Sequence, residues 1–301
     1  MTTLNQISPF RSDCLSNKVA LVVGGGSGIC FEITRQLLLH GCKGAVICGR
    51  RFEFLKNAAE NLAQETGAMV FFQVCDVRDP NSCAKAVKYC IKKFGKLDVL
   101  VNGAAGNFLA EASELKPKGF KTVMEIDTQG TFNMCHFAHP ILKSGGGGCI
   151  INISATLQYG ATWFQAHASA AKAAVDSLTR TLALEWGAHK IRVNGIAPGP
   201  IADTPGTTKL APGMESNDVN EMVSEGIPIG RMGSTFDIGM AAVYLASDGG
   251  GSFISGDVLV VDGAQWLYRP PIVPREIVSE LSRKVEKKSR DLKPGIMLSK
   301  L

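Results

Sequence analysis

One stretch near the start of the chain constrains its fold more than any other. Val19-Ala-Leu-Val-Val is an apolar run of strand type, Gly24-Gly25-Gly26-Ser27-Gly28-Ile29 follows it, and a helical pattern begins at once with Phe31, Ile33, Leu37 and Leu38. A strand that turns sharply into a helix leaves the first helical N–H groups without partners. Glycine lets a phosphate come close to them, and the helix dipole favours its negative charge. A glycine pattern alone is a weak signal, but strand, turn and helix here follow in the order that a pyrophosphate site needs. Gly24, Gly26, Ser27, Gly28 and Ile29 are the candidate contacts.

The same alternation continues downstream. Apolar segments near 18–23, 45–48, 69–74, 97–101, 148–153, 190–195 and 257–261 read as strands, and helical patterns fall near 28–40, 52–66, 80–94, 120–143, 163–187 and 236–247. Nearly all-apolar strands alternating with helices predict an α/β fold: a doubly wound parallel sheet of about seven strands, Rossmann-type, with helices on both faces. No linker or repeat divides the first 265 residues, so 1–265 reads as one nucleotide-binding domain and 266–301 as a C-terminal tail. The longest apolar runs are far too short to span a bilayer, and the first residues lack the features of a secretory signal.

Charge and cysteine narrow the function classes. The net charge is +5, and +4 of it falls between Arg275 and Leu301, which leaves the body nearly neutral. A nucleic-acid binder carries its basic excess on the folded domain, so nucleic acid is not the expected partner. Nine cysteines stand without Cys-x-x-Cys pairs, several inside predicted strands and helices. That pattern predicts reduced core thiols, neither a disulfide framework nor a metal site.

Further candidates lie at the C-terminal ends of the strands. The second strand runs into Cys48-Gly49-Arg50-Arg51, with no acidic residue to take a ribose 2′-hydroxyl. Two guanidinium groups suit a 2′-phosphate, which favours NADP(H) over NAD. Asp76, before Val77, is placed either to accept from an adenine amine or to cap the following helix. Small residues after the fourth strand, Asn102-Gly-Ala104-Ala-Gly106, allow a flat ring or a sugar to pass close to the backbone. Asn107 and Phe108 then offer a polar and an apolar contact at the mouth.

Together these residues resemble the short-chain dehydrogenase/reductase superfamily over about residues 15–265. The likeness rests on Gly24-x-x-x-Gly28-Ile29, Asn102-x-Ala-x-Gly106, Lys172 in a small-residue helix, Asn194-x-Ile-x-Pro198-Gly199, Tyr244-Leu-Ala-Ser247 and Gly256 to Gly263. The departures are specific. Where that family has its active-site tyrosine, serine and asparagine, this chain has Ala168, Ala155 and Asp127, and the glycine expected after Ile29 is Cys30. Only Lys172 survives. Ordinary alcohol–ketone chemistry needs a phenol to exchange a proton with oxygen, and that acid is gone.

Two readings follow: a non-catalytic NADP-binding protein, or an enzyme whose substrate takes its proton on carbon. A closer resemblance favours the second. Gly103-Ala-Ala-Gly-Asn-Phe-Leu109, Ile126-Asp127-Thr128, Ile153-Ser-Ala-Thr156, the run from His167 to Asp176 and Ala197-Pro-Gly-Pro-Ile201 resemble the peroxisomal 2,4-dienoyl-CoA reductase subfamily. That resemblance implies NADPH-dependent reduction of a dienoyl thioester to a 3-enoyl-CoA; other acyl-CoA double-bond or 3-ketoacyl reduction is the alternative. It implies that Lys172 holds the nicotinamide ribose and that Asp127 positions or activates a water, unless Asp127 only pairs structurally with Lys172. It puts Arg50, Arg78, Phe108, Lys116, Lys118 and Lys209 near the acyl-CoA, so Arg50 serves either that substrate or the NADP phosphate. Pro198, Gly199, Pro200, Ile201 and Thr204 fall at the nicotinamide end, and the Pro-, Gly- and Thr-rich stretch 198–230 reads as a substrate lid. The helix at 163–187, with Trp163 and Phe164 at its start, is expected to form a homo-oligomer interface by analogy with the superfamily. Ser299-Lys300-Leu301 has the form of an address read by the peroxisomal import receptor, which places the chain in the peroxisome.

Overall fold

The computed structural model describes residues 7–204, 206–207, 213 and 216–291. Lys209, much of the expected lid and the tripeptide 299–301 lie outside the described residues. Contacts divide the chain into two units, 1–266 and 267–301.

In the first unit the apolar runs become β1 (Val19–Val23), β2 (Gly44–Gly49), β3 (Met69–Val74), β4 (Val99–Asn102), β5 (Gly148–Ile153), β6 (Ile191–Pro198) and β7 (Val258–Val261). They pair in parallel in the order β3-β2-β1-β4-β5-β6-β7. Val22 lies opposite Ile47 on one side and Val101 on the other, so β1 is the central strand from which the chain winds outward both ways. Connections therefore diverge between β1 and β4, and a crevice opens there beyond the strands' C-terminal ends, as doubly wound sheets require.

Amphipathic helices cover both faces. α1 (Gly28–Leu39), α2 (Phe52–Thr66) and α8 (Thr235–Ala246) pack Ile33, Leu37, Leu55, Leu62 and Ile238 into one core layer. α3 (Pro80–Phe94), α5 (Gly130–Ser144) and α6 (Ala166–Trp186) pack Cys83, Val87, Met134, Leu142 and Leu182 into the other. Local chemistry sets the helix ends. The Asp79 carboxylate caps α3 by accepting from the Asn81 N–H, Pro80 fits the first turn, and Gly95 stops the helix in the left-handed region. α1 and α8 approach closely at Gly239, where a Cβ would lie 2.8 Å from Gln36 Cγ. The nine cysteines are free thiols and eight are buried.

The helices differ from expectation in three places. The single helix expected at 120–143 is α4 (Pro117–Met124), a π-helical turn (Glu125–Gln129) and α5 in succession. A π turn inserts one residue without disturbing an apolar pattern enough to be read from sequence, and such turns recur at functional sites. α6 starts at Ala166, not 163, and leaves Trp163 and Phe164 on the preceding turn, with Phe164 at a left-handed φ of +61°. α7 (Ser216–Ser224) falls within the stretch 198–230, where the sequence predicts a lid and no helix.

The second unit contains α9 (Val278–Asp291), every residue of which is exposed. Its support is local, from pairs one turn apart: Lys284 with Glu280 at 2.6 Å, and Arg290 with Glu286. No helix among the described residues is long and apolar enough to cross a membrane.

Candidate active site

The crevice at the switch point is a cleft of about 490 Å³. Its rear wall is the β1–α1 turn. Gly24 holds φ +81°, and a Cβ there would stand 2.8 Å from the Gly103 carbonyl oxygen. Gly103 in turn has no room for a Cβ, which would sit 2.0 Å from Cys30 Sγ. Cys30 thus fills the space over Gly103 that a glycine would leave open, and burial pushes its thiol up to about 12, so it is a neutral packing group. Ser27 caps α1 in extended conformation without a side-chain bond to the helix, and the first turn carries no acidic residue. The cradle is built for an external anion.

Gly26, Gly28 and Ile29 line the cleft beside it. Arg50 and Arg51 line it at the end of β2, and the Arg51 guanidinium lies 3.9 Å over the Phe54 ring, which fixes its direction. Asp76, Val77 and Ala104 complete that side. The Asp76 carboxylate is gripped by the Arg78 guanidinium, Nη2 to Oδ2 at 2.5 Å and Nε to Oδ1 at 3.0 Å. That hydrogen-bonded pair holds its pKa below the usual carboxylate range. Asp79, not Asp76, caps α3.

The end of the cleft at Lys172 is built from the π turn and α6. Lys172 Nζ stands 3.0 Å from Asp127 Oδ2 and donates to the Ile153 carbonyl at 2.9 Å, while Asp127 Oδ1 accepts from the Gly106 N–H at 2.7 Å. The Asp127 side chain is 1% exposed and that of Lys172 9%, so the ammonium lines the cleft with the carboxylate behind it. The pairing weighed from the sequence is therefore present, and Asp127 reaches the cleft only through Lys172 or a water. Ala155 lines the wall and Ala168 is buried. No tyrosine among the described residues lines the cleft. The nearest in sequence, Tyr159, packs on Trp266 with ring centroids 5.4 Å apart, and burial pushes its phenol up to about 12.

Several expected contacts sit elsewhere. Asn102 points beneath the cleft, where its amide donates to Asn152 Oδ1 at 2.9 Å and to Cys135 Sγ at 3.2 Å. It is the last residue of β4, and the pleat turns its side chain into the helix layer. Pro198, Gly199, Ile201 and Thr204 line the cleft, but Pro200 does not; its carbonyl accepts from the Gly233 N–H at 3.0 Å. Asn107 lines the cleft, whereas Phe108 does not and packs its ring, tilted, against buried His167 with centroids 4.2 Å apart. Arg78 belongs to a neighbouring recess with Glu125 and Gln129. Lys116 and Lys118 are exposed at the start of α4, next to Gly119, which Phe108 packs against.

Sequence reasoning missed a second polar link to α6. Ser154 Oγ donates to Asp176 Oδ1 at 2.5 Å and the Gln158 amide to Oδ2 at 2.6 Å. Lys172 and Asp176 are four residues apart and share a helical face. Both tie α6 to the end of β5, and that spacing was the available signal.

A family model described as enoyl-(acyl carrier protein) reductase matches residues 24–264. The chain belongs to the short-chain dehydrogenase/reductase superfamily. It is an oxidoreductase of that superfamily, whose fold and cradle take a nicotinamide cofactor. Among curated relatives, an Arabidopsis thaliana protein named peroxisomal 2,4-dienoyl-CoA reductase, (3E)-enoyl-CoA-producing, is 50% identical across 98% of this chain and 99% of its own length. A Danio rerio protein of the same name is 44% identical across 92% of this chain and 91% of its own. A Pseudomonas aeruginosa citronellol catabolism dehydrogenase matches in structure with a TM-score of 0.74 and 30% identity, covering 86% of this chain and 99% of that one.

Proposed function

We propose that this chain is an NADPH-dependent 2,4-dienoyl-CoA reductase that forms 3-enoyl-CoA in the peroxisome. The observation that carries the reading is a reductase cleft that holds the Lys172–Asp127 pair at 3.0 Å but has no phenol among its described lining residues. Without a proton donor for oxygen, carbonyl reduction loses its acid, whereas a conjugated double bond takes its proton on carbon. The names of the relatives at 44–50% identity point to that same chemistry.

The residues present fit the cofactor. The Gly24–Gly103 contact excludes side chains where a pyrophosphate lies against the α1 N-terminus, and Arg50 and Arg51 supply two cations for a 2′-phosphate. The nicotinamide, when bound, supplies the hydride. Lys172 holds the ribose and keeps the cleft electropositive, so charge spreading from the reduced end toward the thioester oxygen is stabilised. Asp127 keeps Lys172 aimed and, through a water, delivers the proton to carbon. Arg78, Lys116, Lys118 and Lys209 serve the CoA phosphates, and Arg50 stands where it serves either ligand. Exposed Phe132 on α5 and Leu184 on α6 support a homo-oligomer contact along these helices. The peroxisomal assignment rests on the relatives' names and on Ser299-Lys300-Leu301.

One assay tests the reading: purified protein and NADPH with 2,4-dienoyl-, 2-enoyl- and 3-ketoacyl-CoAs, following NADPH consumption. Turnover confined to the dienoyl thioesters is expected. Cofactor binding without consumption would assign a non-catalytic role.

A further inference from the structure

Beside the mouth of the cleft lies an apolar surface that the cofactor and the reacting groups leave unused. Trp163 is 83% exposed, and Phe164, Leu109 and Phe108 are also exposed. The Trp163 and Phe164 rings lie 5.9 Å apart. Phe164 occupies the left-handed region, which is an outlier for a bulky side chain. Its carbonyl accepts from the Ala110 N–H at 2.9 Å, which pins this turn to the segment after β4. Backbone strain of this kind concentrates where a protein binds something, and clustered exposed aromatics mark contact sites.

The surface adjoins the cleft. The segment after β4 leaves the cleft wall at Ala104, is fixed at Gly106 by Asp127, lines the cleft again at Asn107, and emerges as Phe108-Leu109. Across from it, Gln165, just before α6, accepts from the Asn107 amide at 2.6 Å. Phe108, Leu109, Phe164 and Trp163 therefore gather beside the cleft mouth at Asn107, where the two segments are tied together. The cationic groups that suit phosphates, Arg50 and Arg51, line the cleft at the end of β2 instead. A molecule with a charged end and an alkyl end would have each end matched.

We propose that Trp163 and Phe164, together with Phe108 and Leu109, form the landing surface for the alkyl tail of the dienoyl thioester, and that they set a preference for long acyl chains. This rests on the reading of the chain as an acyl-CoA reductase. The occupant is the tail and not a second copy of the chain, because Gln165, next to Phe164, accepts from Asn107, which lines the same cleft as Lys172.

The test compares the wild-type chain with Trp163→Ala and Phe164→Gly on hexadienoyl- and decadienoyl-CoA. Each methylene withdrawn from water is worth about fourfold in binding. Losing the equivalent of one or two of these contacts lowers the ratio of kcat/KM for the long substrate to that for the short one by about fourfold to fifteenfold, chiefly through KM. Phe164→Gly, which also relieves the left-handed strain, guards against misfolding as the cause, since it keeps the fold and lowers the same ratio. In a second readout, decanoyl-CoA, which cannot be reduced, quenches a tryptophan signal that is absent in Trp163→Ala, while CoA alone does not. An unchanged ratio in both variants overturns the proposal, and so does an unchanged ratio accompanied by a drop in oligomer size, which gives the surface to a second copy. A wild-type chain that turns over neither dienoyl-CoA overturns the underlying reading, and the quenching arm then decides the tail surface by itself.

Discussion

Replacing Asp127 by asparagine separates the two jobs assigned to that carboxylate. One oxygen accepts from the Gly106 N–H at 2.7 Å and the other faces Lys172 Nζ at 3.0 Å. Asparagine keeps the shape but has one acceptor oxygen, not two. Whichever way the amide turns, either the Gly106 N–H or the ammonium meets an NH₂ group. Removing one partner of a buried pair costs about 3–5 kcal/mol, because the other charge stays buried. In a domain of this size that corresponds to a fall in Tm of about 5–9 °C. Lost proton delivery lowers kcat by a further factor of about 10²–10⁴. The assay is NADPH consumption with a dienoyl-CoA, run beside a thermal melt and NADPH titration. Dissociation of NADPH should change little, since the glycine cradle is untouched. A companion Asp127→Asn/Lys172→Met variant recovers part of the Tm, because replacing both partners of a buried pair is often nearly neutral, yet it stays inactive. Turnover by Asp127→Asn within threefold of wild type would refute the proton-delivery argument and leave a purely structural pair.

Three further outcomes are expected. Arg51→Ala should raise the KM for NADPH by about tenfold to a hundredfold and leave that for NADH nearly unchanged, from the loss of one charge-assisted contact; equal effects on both cofactors would exclude a 2′-phosphate role. Acid should weaken the fold in a defined window, because burial lowers the pKa of His139, with His189, Lys143 and His136 nearby, and of His167. The folded chain takes up these protons less readily than the unfolded chain, so Tm should be flat above the ordinary histidine value of 6.5 and fall as the pH drops below it; a Tm that rises on acidification, or a slope unaltered by His139→Gln, contradicts this. Deleting Ser299 to Leu301 should move a tagged chain from peroxisomes to the cytosol with activity intact, as fractionation would record.

The sheet was the most legible part of the molecule. Runs such as Val19–Val23 and Cys149–Ile151 are apolar at every position because both faces are covered, and the helix expected at 80–94 spans Pro80–Phe94, although Asp79 and not Asp76 caps it. The glycine cradle was legible because a turn packed against a second loop leaves no room for side chains, and the arginine pair, read from side-chain charge, lies on the cleft wall. What stayed hidden depended on tertiary neighbours. The fit of Cys30 over Gly103 pairs residues from different loops. The π turn shifts the helix phase without a residue signature, and the burial of Asn102 follows from which side of a pleat faces the helices. The start of α6 was misplaced because Trp163 and Phe164 suit an apolar helical face as well as they suit a turn.

The contact between Cys30 and Gly103 makes the two positions answer to each other. A methyl group at 103 has nowhere to go while sulfur occupies 30, and glycine at 30 would leave a hollow above the strand end. The cofactor cradle can therefore be altered there only by trading volume across the crevice, one side shrinking as the other grows. A lineage holding cysteine on the helix is committed to bare backbone on the facing loop.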